Sequence, residues 1–239
     1  MLYLQGGVLV MRDDICTIPI SEVFEENDGC PICRMYKTVE EHIVSYIMGA
    51  AMMEPDVRQV TNKTGFCEKH YRQMLGRRGR LQLALMLESH LDDINANILS
   101  DKLFRSDKSK GDKAKNVTDS CFICDKIEWG MTRMIETLYK TYENEKDFRE
   151  MFNSQEMFCM PHFELLMAGA DKKKMHSQCG EFIKNLTRIT QNYSDILHKD
   201  VKKYCSMYDY RNAGENADWG NSKDSVERTI SFLIGTKIE

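Results

Sequence analysis

Eight residues of two kinds recur in one arrangement that the chain carries twice. Cys30-Pro31-Ile32-Cys33 is followed, after a gap of 33 residues, by Cys67-Glu68-Lys69-His70. Cys121-Phe122-Ile123-Cys124 is followed, after a gap of 34 residues, by Cys159-Met160-Pro161-His162. Three thiols and one imidazole are the ligand set of a closed tetrahedral Cys3His zinc site. A CxxC turn lets two thiolates reach one ion. In CxxH the ligands stand three residues apart, close to one helical turn, and face one point. Four protein ligands leave no position for a substrate water, so the expected role is structural, with the ion tying distant segments together. A gap of this length suits a helical hairpin that returns to its own first pair. We therefore expect Cys30, Cys33, Cys67 and His70 to converge on one zinc ion, and Cys121, Cys124, Cys159 and His162 on a second. Two other uses compete. CPIC and CFIC as redox dithiols would need a βαβ context. An iron–sulfur cluster would use Cys3His only as a minority set.

The elements that must position these ligands read as helices. Apolar residues recur every three or four positions in four stripes: Tyr36, Val39, Ile43, Ile47 and Ala50; Leu81, Ala84, Leu87, Leu91, Ile94 and Ile98; Ile127, Met131, Met134, Leu138 and Tyr142; and Phe182, Leu186, Ile189, Tyr193 and Ile196. No alternating run stands out, and at most Thr17 to Phe24 is extended. The fold class expected is all-α, in two related halves that share an order: CxxC, helix, CxxH opening a helix, then a long helix. Phe66 and Tyr71 flank the first CxxH as Phe158 and Phe163 flank the second, and are expected to shield the metal. Residues 1–14 read as an extension or disordered amino terminus, 15–104 and 119–206 as the two metal-stapled repeats, 105–118 as a solvated linker, and 207–239 as a polar loop with a final helix. That helix is expected to start near Ser222 or Asp224 and to stop before Gly235. Met11 opens a charged stretch after a mildly apolar start, so the first ten residues are set aside from fold reasoning.

The bulk properties narrow the function classes. The chain has 239 residues, 42% hydrophobic and 29% charged, with net charge −4, which argues against a general nucleic-acid or membrane-surface binder. No run reaches the ~18 apolar residues of a membrane span. Compact CxxC spacing without a secretion signal favours metal ligation in a reducing cytoplasm over a disulfide framework. The remaining cysteines, Cys16, Cys179 and Cys205, read as small buried hydrophobes. His42, His90, His176 and His198 read as surface or satisfied histidines. Gly76 to Arg80 (GRRGR) reads as an inter-helix turn, and Met48 to Met53 as core. The most site-like stretch outside the motifs is the polar run Asp209 to Trp219. There Arg211, Trp219 and, on the final helix, Arg228 are candidate residues for a small anionic ligand or an acidic partner protein.

TIPISEVFE (Thr17 to Glu25), GCPIC (Gly29 to Cys33), YIMGAAMMEPDVR (Tyr46 to Arg58), TGFCEKH (Thr64 to His70) and DYRN…WGNSKDSVERTI (Asp209 to Ile230) resemble an uncharacterised bacterial domain-of-unknown-function family found in anaerobic Gram-positive bacteria. The resemblance runs from about Met11 to the end. It implies a cytoplasmic protein, supports the CxxC and CxxH positions as defining features, and supplies no chemistry. The reading is therefore a zinc-binding helical protein acting as a binding or regulatory module. The alternative is an enzyme with its site between the halves near the carboxyl-terminal loop, for which no nucleophile–base pair, phosphate loop or paired carboxylates can be named.

Overall fold

The computed structural model describes residues 19–100, 107–171, 175–209 and 218–235. Among them stand eleven α-helices and no strand, the all-α class that the apolar spacing requires. Two compact units are formed. The first is built on Tyr36–Thr132, and the second joins Pro19–Met35 to the chain from Arg133 onward. Each boundary falls inside the helix that follows a CxxC. The units thus cut across the contiguous stretches 15–104 and 119–206.

The first unit takes most of α2 (Pro31–Met48), α3 (Pro55–Thr64), α4 (Glu68–Leu75), α5 (Arg80–Ile94), α6 (Asp107–Asp119) and the opening turns of α7 (Phe122–Asn144). Val39, Ile43 and Ile47 of α2 are fully buried, as their spacing predicts. On α5 the predicted stripe is the wrong face. Leu81 and Leu91 are 69% and 56% exposed, while Leu83, Met86 and His90 are buried. Leucines lie on both sides of this helix, so periodicity alone selects neither face. From Asp107 on, the stretch read as a solvated linker is helical and, from Ser109 to Thr118, mostly exposed. Its Lys, Asp and Ala residues tolerate a helix, and Gly111 is its only strong disfavouring residue. Lys113 Nζ donates to the carbonyl of Asn97 at 3.0 Å and ties α6 to the end of the preceding helix.

The second unit holds α1 (Ile20–Glu25), the first turn of α2, the rest of α7, α8 (Lys146–Asn153), α9 (Met160–Gly169), α10 (Cys179–Ser206) and α11 (Ser225–Ile234). Its core is aromatic. Phe152 lies with its ring centre 4.9–5.9 Å from those of Phe24, Tyr142, Phe158 and Phe182. Ile20 to Phe24, expected to be extended, form α1 instead; Thr17 and Ile18 lie outside the described residues. Pro19 leads into the helix, and Ile20, Val23 and Phe24 bury one face at helical spacing. On α10 the predicted stripe holds through Tyr193, after which Leu197 is buried in place of Ile196. The final helix runs as expected, with Asp224 at its amino end and Gly235 in the left-handed region (φ 77°) at its carboxyl end. No described helix is long and apolar enough to cross a membrane.

Candidate metal centres

The eight ligand candidates form two groups, and the grouping corrects the expectation. Cys67, His70, Cys121 and Cys124 make cluster A; Cys30, Cys33, Cys159 and His162 make cluster B. Each CxxC meets the CxxH of the other copy, not its own. Cluster A lies wholly in the first unit and cluster B wholly in the second.

Local hydrogen bonds explain the exchange. The segment entering each CxxC is tied to the segment entering the opposite CxxH. Just before CFIC, Ser120 Oγ donates to the carbonyl of Thr64 at 2.7 Å. Phe122 N–H donates to the carbonyl of Gly65 at 3.1 Å. Just before CPIC, Asn27 Nδ2 donates to the carbonyl of Ser154 (3.0 Å), and its Oδ1 accepts from Glu156 N–H (2.6 Å). Gln155 Nε2 donates to the carbonyl of Phe24 at 2.7 Å. Arg34, inside the first turn of α2, donates to the carbonyls of Val23 and Glu26 and pairs with Asp28, holding the turn on α1.

In each cluster the four donor atoms lie within 4.8 Å of one another. A tetrahedral ion with bonds of about 2.3 Å to sulfur and about 2.0–2.1 Å to nitrogen sets sulfurs about 3.8 Å apart and sulfur–nitrogen pairs about 3.5 Å apart. In cluster A, Cys67 Sγ lies 3.8 Å from Cys124 Sγ. His70 Nδ1 lies 3.2 Å from Cys67 and Cys121 and 3.5 Å from Cys124. In cluster B, Cys33 Sγ lies 3.7 Å from Cys159 Sγ. His162 Nδ1 lies 3.1, 3.3 and 3.5 Å from Cys159, Cys33 and Cys30. All eight described cysteines are free thiols, and these sulfur separations are far beyond the ~2.05 Å of a disulfide.

The backbone also fits. Cys67 and Cys159 are the residues capping the amino ends of α4 and α9. Cys30 and Cys121 accept the first helical bonds of α2 and α7 through their carbonyls, from Arg34 and Asp125. Two helix amino termini therefore meet at each cluster, where partial positive charge favours thiolates. Burial works against ionisation of Cys67, yet the amides of His70 and Lys69 and the thiols of Cys121 and Cys124 bring its pKa below the ordinary thiol value. Burial likewise opposes ionisation of Cys30, but hydrogen bonds with Cys159, Cys33 and His162 outweigh it and lower its pKa well below that value. Their neighbours hold protons instead. Hydrogen bonding to Cys159 and Cys30, with burial, pushes Cys33 up. Burial and Cys121 push Cys124 up to about 12. Burial opposes the charged form of His162, but Cys159 and Cys30 raise it to about 9. Three thiolates this close repel one another, and a central divalent cation removes that repulsion.

Outside the donors, the two clusters differ. His70 turns Nδ1 to the sulfurs, so Nε2 carries the proton and donates to Glu40 Oε1 at 3.1 Å. Glu40 is 7% exposed and also accepts from Lys69 Nζ at 2.5 Å. A buried carboxylate behind a histidine fixes the tautomer and ring orientation of a metal ligand. Sequence reasoning missed Glu40. The available signal was the first of two adjacent carboxylates, Glu40, which stands four residues after Tyr36 and three before Ile43 on the apolar stripe of α2, while Glu41 faces out. At the same distance after Cys124 stands Met131, which offers no such acceptor. Cluster B is instead covered by the end of α11, where Cys33 Sγ donates to the carbonyl of Gly235 at 2.9 Å. A Cβ at Gly235 would come within 3.2 Å of Cys159 Sγ. Phe66 and Phe158 are buried as expected, while Tyr71 and Phe163 are half-buried.

Arg211 and Cys16 lie outside the described residues. Trp219 is half-buried against Tyr204 and Tyr208, with ring centres 5.7 and 6.1 Å away. Arg228 donates to Asp200 (2.8 Å), Asp224 (3.0 Å) and the carbonyl of Asn221 (2.5 Å), clasping α11 to α10 and to the turn before it. Cys179 is buried and Cys205 exposed. His42, His176 and His198 are exposed, whereas His90 is buried.

Fold and site together define an all-α protein carrying two Cys3His clusters that could hold metal ions. The chain belongs to DUF6062, a family of unknown function, whose model matches residues 11–239. No curated protein and no solved structure matches it.

Proposed function

We propose that this chain is a cytoplasmic helical binding or regulatory module whose two units are each held together by one structural zinc ion. The observation that carries the reading is the donor spacing, with one sulfur pair in each cluster 3.7–3.8 Å apart, all four donors within 4.8 Å, and imidazole nitrogen 3.1–3.5 Å from each sulfur. Donors this close converge on a single ion. A multi-iron cluster would spread its ligands over several metal atoms. When bound, zinc would cross-link the two helix amino termini at each cluster and neutralise their thiolates. With all four positions filled by protein, the role is architectural. The shared order of CxxC, helix, CxxH and long helix supports descent from a duplicated unit whose copies have exchanged their CxxC turns.

Metal analysis of the purified full-length chain tests this. The expected result is two zinc ions per chain, no visible colour, and a lowered melting temperature after chelation. A brown protein absorbing near ~400 nm would assign the thiolates to iron–sulfur chemistry instead. Unchanged melting after complete metal removal would exclude the structural role.

A further inference from the structure

Beside cluster A, in the first unit, lies a cavity of about 680 Å³. Its walls are mainly apolar, with Phe66, Tyr71, Leu83 and Leu87 among the lining residues. That volume falls within the range of small-molecule sites, which pair apolar walls with a few placed polar groups.

One such group is present. His90 lines the cavity and is 9% exposed. Its Nδ1 lies 2.6 Å from the carbonyl of Asn62. A carbonyl only accepts, so Nδ1 carries the proton and Nε2 of the neutral ring is left as an acceptor. Nε2 has no hydrogen-bond partner among the described residues. His90 lines the cavity, so a donor that enters it has this acceptor available. The residue it faces is glycine. At Gly65, φ is +58° and an added Cβ would lie 3.0 Å from Nε2. Gly65 also lines the cavity, so the missing side chain leaves room directly before the lone pair. Arg72 and Glu68, which also line the cavity, are mostly exposed and pair with each other at 2.8 Å, so no buried charge asks for an ionic ligand.

We infer that this cavity is a binding site for an uncharged, mainly hydrocarbon or aromatic small molecule bearing one hydroxyl or N–H group, which donates to His90 Nε2. The apolar walls bind the body of the ligand, and His90 selects for the donor. The inference goes beyond the structural-zinc reading and does not depend on which metal fills cluster A.

The test uses the full-length, metal-loaded protein and two probes of similar size, 2-naphthol and 2-methoxynaphthalene, titrated by fluorescence. The hydroxyl probe should bind about five- to tenfold more tightly than its methyl ether, the range of one net hydrogen bond. His90→Phe should abolish that preference while leaving the ether's affinity within about twofold. Leu87→Trp, which fills the cavity from a half-buried position, should abolish binding of both with zinc content unchanged. Equal affinity for the two probes in the unmodified protein overturns the inference. So does absence of binding by either, or binding that survives Leu87→Trp. If His90→Phe does not fold, the probe comparison and Leu87→Trp still decide the matter.

Discussion

The exchanged pairing of ligands can be tested by counting metal ions in two double variants. Cys67→Ala with Cys121→Ala removes two ligands of cluster A and leaves cluster B complete. One zinc ion per chain should remain. Cys30→Ala with Cys67→Ala removes one ligand from each cluster, and no tightly held zinc should remain. Sequential pairing predicts the reverse. The stability cost follows from the loops the clusters close. Cluster A bridges the 50 residues between His70 and Cys121, and cluster B the 125 between Cys33 and Cys159. Treated as cross-links, these loops correspond to about 4 and about 5 kcal/mol of unfolded-state entropy. Loss of cluster A alone should lower the melting temperature by about 10–15 °C for a chain of this size. Loss of both removes about 9 kcal/mol, comparable to the whole stability of an ordinary domain, so that variant should be largely unfolded. Zinc per chain by mass spectrometry and melting by circular dichroism read both effects. One zinc in Cys30→Ala/Cys67→Ala, with none in Cys67→Ala/Cys121→Ala, would refute the exchanged arrangement.

Two further outcomes are expected. Glu40→Gln should weaken zinc at cluster A by about 10- to 100-fold through loss of the carboxylate behind His70, while cluster B, which lacks this contact, stays unchanged; chelator competition would resolve the two ions. Arg228→Ala should lower stability by about 1 kcal/mol, carried mainly by the partly buried Asp200 at 19% exposure, since Asp224 at 66% is solvated, with no change in zinc content by metal analysis.

The eight clustered cysteines and histidines were legible in the sequence because their identity and spacing are chemically restrictive. Their partners were not. Equal gaps of 33 and 34 residues suggest local closure, but closing a roughly fourfold longer loop costs only about 1 kcal/mol more. A few well-made contacts reverse a preference of that size. Asn27 to the Ser154–Glu156 segment and Ser120 to Thr64 are such contacts. They are single polar residues in short connections, where nothing in one chain's composition announces a distant partner.

The misread face of α5 shows the same limit. Periodicity assigns a face only when one side of a helix is clearly more apolar than the other. On α5 the leucines surround the helix, and the packed face includes a histidine. The half-buried Leu87, counted by sequence as core, lines the cavity beside cluster A, and His90, read as a surface or satisfied residue, is buried with one nitrogen bonded and one free. An apolar residue left half-covered and a histidine with one nitrogen unpaired are features that packing for stability alone does not require. Both residues line one cavity together with Gly65, and the proposed ligand site rests on that arrangement.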